Sequence, residues 1–220
     1  MQRAPCIAAM PSSGRRLRRV DNQPVTSLSD EQLMARVQQG DQAAFAQLVH
    51  RHVDALYSYA LRLSRTSANA EDLVQESWLS AWSNAASFNP TKAKLTTWLH
   101  RILHNRFIDG VRKKTEVLDS EAIDAAQAEG NLSESVALEE RLSALNSMIN
   151  QLPGKQRAAL VLRHFQGFGN EDISHILGVS VVAVASLLAR ARRTLRNQEH
   201  QTQAADANTE STHDGNNLHE

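Results

Sequence analysis

Leu152 to Arg196 reads LPGKQRAALVLRHFQGFGNEDISHILGVSVVAVASLLARARRTLR, and this stretch decides the fold. It holds three short helical patterns separated by two glycine-bearing breaks. Apolar residues fall at Ala159, Leu160, Val161 and Leu162, then at Ile173, Ile176 and Leu177, then at Val184, Leu187, Leu188 and Leu195. Recurrence at three and four residues marks helices with one buried face. Asn170 and Ser180 stand where N-caps are wanted, because a short side-chain oxygen can take up a free amide of the first turn. Gly178 lies between the second and third patterns, where a tight turn requires positive φ. The third pattern ends in Arg190, Arg192, Arg193 and Arg196. A short helix, a Gly turn and a helix closing on arginines describe a DNA-binding helix-turn-helix rather than a plain three-helix bundle.

Upstream, the chain is helical throughout. Ser29-Asp30-Glu31-Gln32 is a capping box, and Leu33, Met34 and Val37 make a short helix that Gly40 stops. Asp41 caps a longer one carrying Phe45, Leu48, Val49, His52, Leu56, Tyr59, Ala60 and Leu63. A polar cluster from Arg65 to Asn69 breaks it, and Asn69 is expected to cap a third helix from Ala70 to about Ala85. Asn89-Pro90 marks a loop, and a fourth helix is expected over Thr96 to Lys114. A further helix is expected from near Glu134, with Val136, Leu138, Leu142, Leu145, Ile149 and Leu152 inward. No strand pattern persists. The fold class is all-α, with two small helical domains joined by a flexible acidic linker. The second is a helix-turn-helix of the winged-helix-like or homeodomain-like type, with three to four helices.

Formal charge over the 220 residues is zero, yet it is strongly segregated. Residues 90–114 carry seven basic groups against one acid, and 152–197 carry seven against two, whereas 115–151 carry one basic group and eight acids. Two cationic blocks around an acidic one suit two polyanion-facing surfaces. The expected divisions are a basic disordered tail at 1–27, a first domain at 28–114 and an acidic linker at 115–133. A second domain at 134–197 and a disordered acidic tail at 198–220 complete them. The one cysteine, Cys6, excludes an internal disulfide framework. No run approaches eighteen apolar residues and the N-terminus lacks signal-peptide order, so the expected location is the cytoplasm.

The residues that carry a family likeness are AEDLVQESWLSAW (Ala70 to Trp82) and TTWLHRILHNRFIDGVRKK (Thr96 to Lys114), placed ahead of the helix-turn-helix. In order and spacing these blocks closely resemble the extracytoplasmic-function (ECF) group of bacterial sigma factors, the smallest members of the sigma-70 family. The resemblance implies a bacterial transcription-initiation subunit that has no catalytic activity and calls for no cofactor. Its first domain binds core polymerase at the β′ clamp helices and opens the promoter −10 element. Its second domain binds the −35 element and the β flap. It further implies control by an anti-sigma protein. A free-standing regulator that binds duplex DNA without polymerase is the competing function; it has no use for the Asp72-Gln75-Glu76 helix.

On that resemblance Asp72, Gln75, Glu76 and Leu79 form the polymerase-binding face, recurring at helical spacing away from Trp78 and Trp82. The −10 single strand, which needs a basic track and a pocket for an unstacked base, falls to the fourth helix and the loop before it. The residues are Asn84, Ser87, Lys92, Lys94, Thr97, His100, Arg101, His104, Asn105, Arg106, Arg112 and Lys113. Trp98 is expected in the core. The −35 duplex falls to Ser180, Ala183, Ser186, Arg190, Arg192, Arg193 and Arg196, the arginines gripping phosphate and base choice expected from Ser180, Ser186, amides at the helix N-terminus and DNA shape. The start of this recognition helix departs from the family: Ala183, Ala185 and Leu187 stand where Thr, Lys and Arg are common. Val181, Val182 and Ala183 offer only apolar contact, for instance to a thymine methyl. Neither the His100–His104 pair nor Glu71, Asp72 and Glu76 completes a metal site, and only Asp109 accompanies the basic helix, so no nuclease chemistry is expected.

Overall fold

The computed structural model describes residues 28–64, 66–117 and 145–213, and among them every regular element is helical. The first lobe contains α1 (Asp30–Val37), α2 (Gln42–Ser64), α3 (Ser67–Ser83), a 3₁₀ turn (Ala85–Ser87) and α4 (Leu95–Val117). After residues 145–150, also helical, the second lobe contains α5 (Gly154–His164), α6 (Asn170–Leu177) and α7 (Val181–His213). The N-terminal tail at 1–27, most of the linker, the start of the helix near Glu134 and the last residues, 214–220, lie outside the described residues.

Local chemistry sets most of the boundaries. Ser29 and Gln32 form the reciprocal capping box, Gln32 Oε1 accepting from Ser29 N at 2.8 Å. Asp41 Oδ1 accepts from Ala43 N and Ala44 N to start α2, after Gly40 has turned the chain at φ +89°. Two expected caps are displaced. Thr66, in extended backbone, caps α3 by accepting from Asn69 N, so the helix begins three residues before the expected Ala70. Gly169 holds the N-cap position of α6 and Asn170 is already helical. Ser180 does cap α7, accepting from Ala183 N at 3.2 Å, and Gly178 adopts the left-handed conformation at φ +64°. At the other end α7 runs past Asn197 to His213, because Gln, Glu and Ala residues there favour helix despite having no apolar spacing.

The first lobe is centred on Leu48, Leu56, Tyr59, Leu63, Val74, Leu99 and Leu103, with Phe45 packed edge-on against Trp78 and Trp82. Trp98 is partly buried and meets Phe88 at 5.4 Å between ring centres. The second lobe closes over Leu160, Leu162, Ile173, Ile176, Val184 and Leu188. The lobes are not held apart. α4 lies against α6, α2 lies against α5, and the buried residues of both form one continuous core.

Candidate nucleic-acid interface

On α3 the core residues Val74, Trp78 and Ala81 are buried, and the opposite stripe holds Asp72, Gln75, Glu76 and Leu79, all exposed. Leu79 is 62% exposed, an apolar knob between two carboxylates and an amide. Such a stripe contributes little to folding. Two carboxylates and an amide on one exposed face can pair with a cationic surface, and an exposed leucine beside them can add buried area in such a contact.

Ahead of α4 the loop is rigidly placed. Gln38 Nε2 donates to both Ala85 O and Phe88 O at 3.0 Å. Asn84 and Ser87 are exposed but partly committed, Asn84 Nδ2 donating to Ser80 O and Ser87 Oγ donating to Asn84 O. Lys92, Lys94, Arg101, Asn105, Arg106 and Arg112 are exposed as well. Asp109, the one acid on α4 among the described side chains, stands 3.9 Å from Arg112. The Lys113 side chain lies outside the described residues.

Thr97, His100 and His104 are placed differently from the other residues expected at the −10 strand: they are buried in the seam between the lobes. Thr97 Oγ1 donates to Asp172 Oδ1 of α6 at 2.9 Å. The His100 ring meets Phe168 of the second lobe edge-on, 4.8 Å between centres, and its Nδ1 lies 2.8 Å from Thr96 O. His104 Nδ1 shares a 3.1 Å hydrogen bond with the buried Tyr59 hydroxyl. At the open end of the seam a cleft of about 420 Å³ lies between His104, Asn105 and Ile108 on one side and Lys155, Leu177 and Leu187 on the other.

Burial pushes both imidazoles down to about 4, helped at His104 by the nearby Lys155 ammonium and at His100, more weakly, by His52. Both are therefore neutral at pH 7. The unfolded chain binds these two protons below about pH 6.5 and the folded structure does not until about pH 4, so the fold is most stable above 6.5 and weakens as pH falls between those values. The thermal midpoint should therefore drop across that window, each histidine contributing up to about 1.4 kcal/mol per pH unit. A His100→Gln/His104→Gln pair should show a shallower decline in calorimetry. Identical slopes would place the titration elsewhere.

In the second lobe, Ser180, Ser186, Arg190, Arg192, Arg193 and Arg196 are exposed and Ala183 is half-buried. All lie on α7 or at its cap, and the α6–Gly178–α7 corner has the bend of a helix-turn-helix. Among the described residues no three His, Cys, Asp or Glu side chains gather as metal ligands, and no single helix is long and apolar enough to cross a membrane.

Two residues that join the lobes, Arg157 and Arg62, are not singled out by any sequence pattern. Arg157, 6% exposed, reaches Leu63 O in α2 and Asn150 O, and Arg62 of α2 lies over the Phe165 ring at 4.2 Å. A charged residue leading straight into Ala-Ala-Leu-Val-Leu is the one local sign that Arg157 is enclosed.

Sigma-70 region 2 matches residues 48–117, which include α3 and α4, and sigma-70 region 4 matches residues 142–195, which include the helix-turn-helix. The chain is 36% identical to the ECF RNA polymerase sigma factor SigE of Mycolicibacterium smegmatis over 71% of its own length and 63% of SigE. It is 37% identical to the ECF RNA polymerase sigma factor SigM of Mycobacterium tuberculosis, over 76% of its length and 83% of SigM. Among solved structures it resembles the sigma factor RpoE of Bartonella quintana, crystallised with the anti-sigma factor NepR. The TM-score is 0.60 and the identity 32%, over 70% of this chain and 94% of that one. With both family regions in order on one chain whose described elements are all helical, this protein belongs to the ECF group of the sigma-70 family and is an RNA polymerase sigma factor.

Proposed function

We propose that the chain docks on core polymerase through Asp72, Gln75, Glu76 and Leu79, directs the enzyme to particular promoters and helps to melt the −10 element. The observation that carries this reading is the α3 stripe, which opposes the buried Trp78 face and exposes a leucine among acids without serving the fold. The carboxylates pair with a basic coiled coil, the β′ clamp helices, while the second lobe meets the β flap. The working division is residues 28–114 for polymerase and the −10 strand, 115–133 as linker and 134–197 for the −35 duplex. The chain works in the bacterial cytoplasm and catalyses nothing itself.

Lys92, Lys94, Arg101, Arg106, Arg112 and Lys113 then hold the backbone of the melted strand, and Asn84, Ser87 and Asn105 face its bases. Thr97, His100 and His104 reach that strand only when the seam opens; in the closed form Thr97 and His100 hold Asp172 and Phe168 across it. On the duplex, Arg190, Arg192, Arg193 and Arg196 grip phosphates around the recognition helix. An anti-sigma protein acts by covering the α3 stripe or by holding the lobes closed.

Gel filtration of the purified chain with core polymerase tests the reading. Co-elution in a one-to-one complex is expected. A chain that binds duplex DNA by itself and ignores the core would instead be a free-standing regulator.

A further inference from the structure

α7 turns Val184, Leu188 and Ala191 into the second lobe, where all three are buried. At 100° per residue the opposite stripe carries Val182, Ser186, Ala189 and Arg193. All four are exposed, and Val182 is the extreme case at 77%, with Val181 beside it at 46%. A β-branched apolar side chain this open to water serves no packing role, and its neighbours leave it standing proud. Ala189 on the stripe and Ala185 at its edge are small.

The polar groups nearby are already engaged with their own helix. Ser180 Oγ accepts from Ala183 N at 3.2 Å, and Ser186 Oγ donates to Val182 O at 3.1 Å. Arg192 Nε donates to Leu188 O at 3.4 Å. The nearest long polar side chain on the stripe is Arg193, eleven residues on and roughly 16 Å along the axis, more than the width of a major groove. The stripe therefore offers an apolar tip, a low middle that permits close approach, and a cation placed for a phosphate on the groove wall.

We infer that Val182, flanked by Val181, reads the 5-methyl group of a thymine in the upstream promoter element, so that base choice at one or two positions is made by apolar contact. The inference rests on the reading above, in which α7 enters the major groove of duplex DNA. Thymine is the one base that presents a methyl group there, so a valine discriminates it from the other three without a hydrogen bond.

The test uses holoenzyme assembled from the full chain and core polymerase, with promoter duplexes enriched from a library randomised upstream. In an enriched duplex each upstream thymine is replaced singly by deoxyuridine, which keeps every hydrogen-bonding atom and lacks only the methyl. At one or two positions affinity should fall about fourfold, the value of one buried methyl. Val182→Ala should weaken the thymine duplex by a similar factor, abolish the thymine-uracil difference there and leave the thermal midpoint unchanged.

Uracil neutral at every position, or a uracil penalty that survives Val182→Ala, would overturn the inference. So would a Val182→Ala holoenzyme weakened equally on all duplexes, which would assign the stripe to polymerase docking. Starts that depend only on the −10 region, with no upstream enrichment, would overturn it and leave the sigma-factor reading standing. A chain that fails to bind core would remove both.

Discussion

Arg157→Ala is expected to cost about 2–5 kcal/mol of stability, read as a lowered urea midpoint. Leu63 is the penultimate residue of α2, so its carbonyl has no acceptor role left within that helix and points at the Arg157 guanidinium, 3.1 Å from Nη2. Nη1 donates to Asn150 O at 3.2 Å. The cation also lies at the negative end of the helix dipole. Truncation leaves acceptors without a donor and opens space inside a core shared by both lobes. Arg157→Lys should recover less than half of the loss, since one ammonium cannot reproduce the planar fork. Arg190→Ala, exposed on α7, should stay within about 0.5 kcal/mol. Equal effects at Arg157 and Arg190 would mean that Arg157 does not join the lobes.

Reversing the charge of the α3 stripe should separate function from folding. Asp72→Arg/Glu76→Arg places two cations where a basic partner surface is expected, and like charges brought together across an interface cost several kcal/mol. Affinity for core polymerase, measured by anisotropy of the labelled chain, should fall about a hundredfold or more. Stability should change by less than about 0.5 kcal/mol, because both side chains are exposed. A change in affinity of twofold or less would move the polymerase contact to another face.

The helix-turn-helix was legible because each of its parts has a local cause. Apolar spacing marks the core face of each helix, Gly178 supplies the positive φ that the turn needs, and Ser180 supplies the cap. Caps were less certain where two candidates lay close together. Thr66 prevailed over Asn69 because it stands in extended backbone and reaches the Asn69 amide. The exposed stripe of α3 was equally legible as a face, since Asp72, Gln75, Glu76 and Leu79 share one side of a single helix.

The seam was not legible. Thr97, His100 and His104 read as a polar face of α4, and helical periodicity says nothing about a second layer supplied from far along the chain. Thr97 finds its partner at Asp172, seventy-five residues away, and His100 finds a ring at Phe168. Arg157 was hidden for the same reason: its acceptors are backbone carbonyls, which have no signature in sequence. The C-terminal end of α7 was misjudged by another route, because intrinsic propensity extends a helix where no buried face is needed.

The central claim is that this chain confers promoter choice on a polymerase that lacks it. Run-off transcription on genomic DNA, with core polymerase alone and with the chain added, tests it most directly. A discrete set of new start sites is expected, sharing an upstream and a −10 motif and vanishing with the Asp72→Arg/Glu76→Arg chain. Start sites unchanged from core alone, with the wild-type chain bound to the DNA, would contradict it.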